Sequence, residues 1–372
     1  MAVPLLDLRA QHATIRDETV AAVMRVVDSQ TFILGDAVLE LERDVAALSH
    51  TRHAIGCANG TDAILLAMRA LDIGRGDEVI TTPFTFFATA GTIHNVGATP
   101  VFVDIEPKTF NIRPDAAAAA RTSHTKAVIP VDLFGQMAAV EQVAAALHGL
   151  PVIEDAAQSL GARRMVDGES RMAGEIPTIG TFSFFPSKNL GGFGDGGMMV
   201  TQDDAIAERL RRLRVHGGAK QYVHDEVGYN SRLDALQAAV LSAKLPHLAA
   251  WSAKRRENAA YYDAAFADVA EVRTPYVSPE NESIFNQYTL RVADGKRDAL
   301  QAFLKERGVG TSIYYPLPLH LQPCFAYLGY KQGQLPESER AAKEVLSLPI
   351  FPELTRAQLD EVVAGVRAYF AK

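Results

Sequence analysis

The stretch FSFFPSKNLGGFGDGGMMVT, residues 182–201, places a lysine between aromatic residues and a glycine-rich segment. Most lysines are solvated surface residues, so Lys188 on its own would be expected to have no special role. The stretch ends in GMMVT, an apolar run that predicts a strand. The function of Lys188 therefore depends on which other residues the fold brings to it.

Outward from this stretch, short apolar runs alternate with alanine-rich amphipathic segments from about residue 50 onward. This alternation is typical of an α/β domain in which helices cover a mainly parallel central sheet. The predicted strands are HAIGCA, DEVITT, TPVFVD, KAVIPV, PVIED, GTFSFF and GMMVT, and the helices between them include TDAILLAMRAL, FFATAGTIHNV and MAAVEQVAAALHG.

The C-terminal part of the chain predicts a smaller α+β domain. Residues 231–266 predict a helix pair or one helix kinked at Pro246, since proline disrupts a helix interior. Beyond them, NQYTLRV and TSIYYPL predict strands, and residues 352–372 predict a closing helix. We therefore expect a large domain over residues 1–250, including the N-terminal segment, and a small domain over residues 251–372.

Composition excludes several classes of function. The 372 residues are 48% hydrophobic and 22% charged, which is ordinary for a globular protein too long for one core. The net charge of −7 is spread along the chain without a basic stripe, so we expect no nucleic-acid partner. A charged start and the absence of a long apolar run predict a cytoplasmic protein without a membrane partner. Cys57 and Cys324 match no disulfide or metal spacing and are expected to be small buried hydrophobic residues.

Ligands of open α/β sheets bind beyond the carboxyl ends of the strands. Four such places carry candidate residues, and each has a structural alternative. A helix start after HAIGCA is either a phosphate site or a simple capped turn. The carboxylate at the end of PVIED either points into a site or lies at an exposed strand end. The aromatic residues after DEVITT belong to the core or to a cofactor platform. At the fourth place, after GTFSFF, Lys188 is either a site residue or a solvated surface lysine. The candidates are Gly60, Thr61, Phe86, Asp155, Ser183 and Lys188.

Together these residues form a set that pyridoxal 5′-phosphate would use. The lysine amine would form a Schiff base with the cofactor aldehyde. The carboxylate would keep the pyridine nitrogen protonated, and an aromatic face would stack on the ring. The glycines after Lys188 would let backbone approach the cofactor closely. The formal GxGxxG that begins at Gly192 continues as a strand, so it does not predict a dinucleotide site, and we expect no metal.

The chain resembles the nucleotide-sugar aminotransferases of the DegT/DnrJ/EryC1/StrS family nearly end to end. The resemblance lies in PLLDLRAQ, LGDAVLELE, CANGTDAI, GDEVITTPFTFFATA, VFVDIEP, VIEDAAQS, FSFFPSKNLGGFGDGG, NSRLDALQAAVL, YPLPLHLQP and VLSLPIFPEL. It implies the aspartate aminotransferase type of fold (PLP fold type I), dependence on pyridoxal phosphate with pyridoxamine phosphate as an intermediate, and a homodimer with shared active sites.

The resemblance also implies roles for individual residues. Lys188 resembles the cofactor-attaching lysine and Asp155 the partner of the pyridinium nitrogen. The remaining cofactor residues implied by matching positions are Gln158 near the phenolic oxygen, Phe86 stacked on the ring, Gly60, Thr61 and Ser183 at the phosphate, and Asn230 at the phosphate of the neighbouring subunit. Relatives that remove oxygen from a sugar have histidine in place of the lysine, and this chain keeps the lysine.

Substrate contacts are less clearly implied. Arg232, Tyr314, Tyr315 and His320 are candidates for sugar or nucleotide contacts. Many relatives have His-Tyr where this chain has Tyr314 and Tyr315, so the chain departs from the family pattern at Tyr314.

The resemblance implies amino transfer from glutamate to a UDP- or dTDP-linked keto-sugar, most similar to enzymes acting at sugar C3, in amino-sugar and polysaccharide biosynthesis. Sugar C4 stays open. A catalytically silent regulatory protein of the same fold is an alternative that the full set of cofactor residues disfavours. An aspartate-type amino-acid aminotransferase would need an arginine for the second carboxylate of its substrate, and sequence alone does not place one.

Overall fold

The computed structural model describes residues 2–220 and 222–371. The helices are α1 (Leu8–Ser29), α2 (Asp36–Leu48), α3 (Gly60–Ala70), α4 (Phe87–Asn95), α5 (Pro114–Ala119), α6 (Val140–Ala146), α7 (Asp204–Leu213), α8 (Ala235–Lys244), α9 (Leu248–Phe266), α10 (Arg297–Glu306), α11 (Pro336–Glu344) and α12 (Arg356–Phe370).

The strands are β1 (His53–Cys57), β2 (Glu78–Thr81), β3 (Thr99–Phe102), β4 (Thr125–Ile129), β5 (Ile153–Asp155), β6 (Arg163–Val166), β7 (Glu169–Met172), β8 (Ile179–Ser183), β9 (Gly197–Thr201), β10 (Val272–Arg273), β11 (Asn281–Glu282), β12 (Tyr288–Val292) and β13 (Val345–Leu348).

The central sheet has the strand order β3-β2-β4-β5-β8-β9-β1. Backbone pairing is parallel in β3-β2-β4 and in β5-β8, and antiparallel on both sides of β9. Parallel bridges from Val128 to Val152 and from Val131 to Asp155 join β4 to β5. The mainly parallel sheet predicted from the sequence is thereby confirmed, and the carboxyl ends of β1, β2, β5 and β8 lie along one edge.

Local sequence explains how α3 begins at that edge. The Asn59 side chain accepts a hydrogen bond from the backbone N–H of Asp62 at 2.9 Å, which caps the helix. The apolar side of the helix is buried at Ala63, Ile64 and Leu66. Capping and burial together fix the backbone N–H groups of the first turn at the carboxyl end of β1.

The first of two hydrophobic clusters lies where α1, α2 and α8 pack against β8 and β9. The second lies in the C-terminal part of the chain, around the antiparallel sheet β10-β12-β13. The helix α9 connects this cluster to the first one, because Leu248 packs in the first cluster and Tyr262 and Phe266 pack in the second. The short 3₁₀ turn Leu245–His247 separates α8 from α9, which agrees with the kink predicted at Pro246.

The division of the chain at residue 250 stays a prediction, but its N-terminal part differs from what we expected. Val3 exchanges backbone hydrogen bonds with Gly308 and Gly310, at 2.9 and 2.8 Å, and is buried in the C-terminal cluster. Val3 and the partly buried Leu6 therefore pack with the C-terminal cluster, while α1 packs on α8.

Two expectations from the sequence are wrong. TSIYYPL forms no regular strand and contributes a single bridge between Ser312 and Ser347. Proline has no backbone N–H to donate, and Pro316 and Pro318 follow the tyrosines, so a ladder cannot continue there. Cys324 is exposed, whereas Cys57 is buried as expected, and both are free thiols.

Within residues 2–220 and 222–371, no helix has the length and apolar character needed to cross a membrane.

Candidate active site

The candidate site lies where β1, β2, β5 and β8 end. Asp155 is the last residue of β5, and Ser183 is the last residue of β8. Gly60 opens α3 after β1, and Phe86 caps α4 after β2. The parallel strands therefore bring together residues that are up to about 120 positions apart in the sequence, as the rule for open α/β sheets predicts.

Lys188 and Asp155 form the electrostatic centre of this site. Desolvation lowers the pKa of the partly buried Lys188 to about 8, and the nearby Asp155 carboxylate opposes that shift. Burial raises the pKa of Asp155, while hydrogen bonding to Thr89 and the charge of Lys188 act in the opposite direction. Each charge thus opposes the effect of burial on the pKa of the other group, in an environment that disfavours isolated charge.

The Asp155 carboxylate is held by two donors of this chain. Its Oδ2 accepts a hydrogen bond from the Thr89 hydroxyl at 2.7 Å, and its Oδ1 accepts one from the backbone N–H of Ala157 at 3.3 Å. The Thr85 and Thr89 hydroxyls are 3.0 Å apart. A buried, oriented carboxylate is suited to stabilise a cationic ring nitrogen rather than to serve as a solvated strand end.

Gln158 and Tyr315 border the same site. Gln158 Oε1 accepts a hydrogen bond from the Phe134 backbone N–H at 2.6 Å, and its Nε2 donates to the Tyr315 hydroxyl at 3.4 Å. Burial and the charge of Asp155 raise the pKa of Tyr315, so its phenol is neutral at physiological pH. The ring of Phe86 lies 6.3 Å from that of Tyr315 and is 57% exposed. An exposed aromatic ring at the edge of a polar site is available for stacking.

Gly60 and Ser183 are in close contact. A Cβ atom at Gly60 would lie 2.6 Å from Ser183 Cβ and 3.0 Å from its Oγ, so a larger residue would displace the hydroxyl. Thr61 follows in the first turn of α3, where backbone N–H groups and the helix dipole favour an anion. Three predicted phosphate residues therefore lie together at one helix start.

Asn230 and Arg232 belong to a separate polar surface cavity of about 420 Å³. Ala58, Asn59, Asp195, Asp234 and Gln237 line the rest of it. Asn230 is exposed and pairs with Val215 in a single backbone bridge. Asn59 in the cavity wall directly precedes Gly60, so the cavity adjoins the predicted phosphate site.

The remaining predicted substrate residues occupy different environments. Tyr314 is partly buried, and its ring centroid lies 5.8 Å from that of Tyr315. His320 is buried, and its Nε2 lies 3.2 Å from a carboxylate oxygen of Glu339. Burial lowers the pKa of His320. In this conformation the imidazole contacts Glu339, and its contact with substrate stays a prediction.

Sequence reasoning missed Thr89, which holds Asp155. The available signal was a hydroxyl within the otherwise apolar run FTFFATA, on the helix that follows Phe86. One of the glycines after Lys188 also has a role in packing. A Cβ atom at Gly191 would lie 2.3 Å from the carbonyl oxygen of Pro186, so this glycine permits close packing of the chain against itself.

Comparison with known proteins agrees with this geometry. The sequence profile of the DegT/DnrJ/EryC1/StrS aminotransferase family matches residues 13–367. A protein of Geobacillus stearothermophilus named pleiotropic regulatory protein is 54% identical, over 100% of this chain and 99% of that protein. The UDP-N-acetyl-3-dehydro-alpha-D-glucosamine 3-aminotransferase of Acidithiobacillus ferrooxidans is 45% identical, over 98% of this chain and 97% of that protein.

Among solved structures, DesV of S. venezuelae in complex with a ketimine intermediate superimposes with a TM-score of 0.96. It is 41% identical, and the match covers 100% of this chain and 99% of that chain. The predicted fold of the aspartate aminotransferase type is confirmed by this likeness.

The residues present fit pyridoxal 5′-phosphate. Lys188 supplies a desolvated amine, and Asp155 supplies a buried carboxylate beside it. Gly60 leaves open the space at Ser183 that a side chain would fill. A chain that has this site and matches the family over nearly its whole length belongs to the DegT/DnrJ/EryC1/StrS aminotransferase family and is a sugar aminotransferase that depends on pyridoxal 5′-phosphate.

Proposed function

We propose that this enzyme transfers an amino group from glutamate to a keto group at C3 of a UDP- or dTDP-linked sugar. The observation that carries amino transfer is the pairing of the desolvated Lys188 amine with the buried Asp155 carboxylate. The position C3 is supported by the 45% identity to an enzyme named as a 3-aminotransferase of a UDP-linked 3-keto-sugar. C4 transfer is the alternative position.

In this proposal Lys188 attaches the cofactor and then moves protons. A lysine with a pKa of about 8 is present both as amine and as ammonium near neutral pH, so it could accept a proton from the α-carbon of the amino donor and, in the second half of the reaction, donate one to the sugar carbon that receives the amino group. Asp155 keeps its negative charge opposite the ring nitrogen because Thr89 and Ala157 donate to it. Pyridoxal phosphate, when bound, supplies an electron-withdrawing ring that stabilises negative charge on the reacting carbon.

The other cofactor residues have proposed positions around the ring. The first turn of α3, with Gly60, Thr61 and the nearby Ser183, would hold the phosphate. The exposed ring of Phe86 would stack on one cofactor face, and the Gln158 amide would lie near the phenolic oxygen. Tyr315 is supported as a substrate neighbour by its hydrogen bond to Gln158.

We also propose a homodimer in which Asn230 of the partner subunit completes each phosphate site. The segment of residues 215–230 supports this proposal, because it presents Tyr222 and Val227, which are 87% and 85% exposed. Large apolar side chains with that exposure are suited to contact another surface. A two-fold axis would place both polar cavities against the opposite sites.

A regulatory role in addition to amino transfer is the second candidate. It is favoured by the name of the 54% identical relative, a pleiotropic regulatory protein. The two functions make different demands on Lys188. Regulation could proceed with any bound state of the cofactor, whereas amino transfer requires that Lys188 release the cofactor and shuttle protons.

The test incubates the purified protein with glutamate and a panel of UDP- and dTDP-linked 3-keto- and 4-keto-sugars. Mass spectrometry detects amination, and NMR of the product locates the new amino group. We expect a C3 amino sugar from wild-type protein and none from Lys188→Ala. Product at C4 would replace the proposed position. Cofactor-loaded protein that aminates no member of the panel would contradict the proposal and favour regulation.

A further inference from the structure

The segment that follows Lys188 is fastened to α8 by two side chains. We call residues 189–195 the glycine segment. Lys244 Nζ donates a hydrogen bond to the Gly191 carbonyl at 2.6 Å and lies 4.9 Å from the centroid of the Phe193 ring. Gln237, two helical turns earlier, accepts a hydrogen bond from the Phe193 N–H at 2.8 Å. One helix thus holds both a carbonyl and an N–H group of the glycine segment.

Lys244 is an unusual residue for its position. It is 3% exposed, and burial lowers its pKa to about 8. Within the described part of the chain, no carboxylate forms an ion pair with its amine. Burying an unpaired ammonium is costly, and an apolar side chain would fill the same space at lower cost. The position therefore requires a long hydrogen-bond donor that reaches Gly191.

The Gly191 carbonyl is connected to Lys188 by a tight reversal of the chain. The Gly192 N–H donates to the Phe184 carbonyl at 2.8 Å, and the Lys188 N–H donates to the Phe185 carbonyl at 2.9 Å. The absence of a Cβ atom at Gly191 lets the chain lie directly against Pro186. Lys188 stands on the loop that these contacts close, so a displacement of Gly191 is transmitted to its backbone.

We propose that Lys244 is a positioning residue for Lys188: through the Gly191 carbonyl it fixes the loop that presents the Lys188 amine to Asp155 and the cofactor. The ammonium contributes a strong hydrogen bond to the carbonyl and a cation–π contact to Phe193. The proposal rests on the proposed attachment of the cofactor to Lys188. Lys244 lies on α8, outside the site, and in this proposal it helps to retain and orient the cofactor.

The decisive variant is Lys244→Met, which keeps the length of the side chain and removes the donor and the charge. Two quantities are measured: hydrogen exchange of the peptide covering residues 186–196, and the rate at which the holoenzyme releases its cofactor. We expect faster exchange in that peptide and cofactor release accelerated about tenfold, with little change in exchange elsewhere. Lys244→Arg keeps a cation and donors and should restore both quantities in part.

Two further variants separate positioning from general stability. Lys254→Met removes an exposed lysine of α9 that pairs with Glu257, and it should leave both quantities unchanged. Gln237→Met removes the second tether and should also raise exchange at residues 186–196, which keeps the proposal testable if Lys244→Met does not fold. Wild-type exchange and release in a folded Lys244→Met protein would overturn the proposal, as would an equal rise of exchange throughout the chain.

These outcomes are independent of the test of the proposed function. If the cofactor stayed covalently attached in Lys188→Ala, the proposed role of Lys188 would fail, while the exchange of residues 186–196 would still report on the Lys244 tether. If Lys188 attaches the cofactor and the Lys244 variants behave as wild type, only the inference about Lys244 fails.

Discussion

The surroundings of Asp155 and the surroundings of Asn230 differ in how completely one chain builds them. Asp155 is buried, accepts hydrogen bonds from Thr89 and Ala157, and interacts electrostatically with Lys188. Asn230 is exposed, borders an open polar cavity and has one bridge to Val215. The same fold therefore contains one group whose geometry is determined within the chain and another that faces outward.

This difference indicates where the chemistry and the assembly of the enzyme reside. A buried carboxylate with two donors keeps its orientation whether or not a ligand is bound. An exposed amide at the edge of a cavity gains a fixed partner only when a ligand or a second subunit arrives. We therefore expect substitutions around Asp155 to change the chemistry and substitutions around Asn230 to change affinity and assembly.

The largest effect is expected for Lys188→Ala. Covalent attachment of the cofactor should be lost completely, because within residues 2–220 and 222–371 Lys188 is the amine that shifts the pKa of Asp155. Borohydride reduction followed by peptide mapping measures the attachment site. Lys305→Ala, an exposed change on α10, is the control and should retain the label on Lys188. A label on any other lysine in wild-type protein would remove Lys188 from its role.

The next largest effect is expected for Asp155→Asn. The variant should bind the cofactor but aminate on the order of 100-fold more slowly or worse, because a neutral amide does not keep the ring nitrogen protonated. Cofactor content is measured by absorbance and turnover by product mass. Thr89→Val removes one donor to the carboxylate and should lose about tenfold, in line with one hydrogen bond to a charged group. Near-normal turnover in Asp155→Asn would show that the group acts only in folding.

A smaller effect is expected at the exposed Asn230. Asn230→Asp replaces an amide donor by a carboxylate that repels phosphate, so cofactor retention should fall about tenfold or more without a change of fold. Equilibrium dialysis measures retention, and Asn95→Asp, an exposed change at the end of α4, serves as the control.

Mixing subunits tests whether this amide acts across a dimer. Where both variants are folded and inactive, exchange between Lys188→Ala and Asn230→Asp should restore activity, since each mixed dimer would have one site with both intact residues. Random exchange would restore about a quarter of the sites. An active monomer at assay concentration, or complete exchange with no recovery, would contradict a site shared between subunits.

The same comparison explains what the sequence could predict. The apolar runs of three strands are unambiguous in the sequence, and these strands end at or just before Asp155, Ser183 and Gly60. In a mainly parallel sheet the carboxyl ends of such strands lie along one edge. The role of Thr89 was not predicted because its partner Asp155 lies 66 positions away, at the end of β5. Aromatic residues favour strands, so the tyrosines at positions 314 and 315 predict a strand. The prolines that follow them prevent a strand from forming there. The contacts of Lys244 and Val3 depend on packing between distant segments, which periodicity does not encode.

The smallest predicted effect is a shift in pH dependence, and it tests whether Lys188 and Asp155 are coupled. Only the neutral amine attaches the cofactor, and desolvation lowers the pKa of Lys188 to about 8. The rate of attachment to apoprotein should therefore rise as pH increases through about 8 and then level off. For an ordinary lysine, with a pKa of about 10.4, the rate of attachment would still increase at higher pH.

Asp155→Asn gives the sign of the coupling. The Asp155 carboxylate stabilises the ammonium form and raises the pKa of Lys188 against the effect of burial. Its neutralisation should move the midpoint of the rate profile to lower pH, while Asp28→Asn, an exposed change in α1, should leave the midpoint in place. Stopped-flow absorbance on the three apoproteins measures this, and the ionisations of the free cofactor cancel because they are common to all three. A midpoint that stays fixed or rises in Asp155→Asn would show that the two groups are too far apart to act as one centre, and a wild-type midpoint near 10 would place the Lys188 amine in solvent.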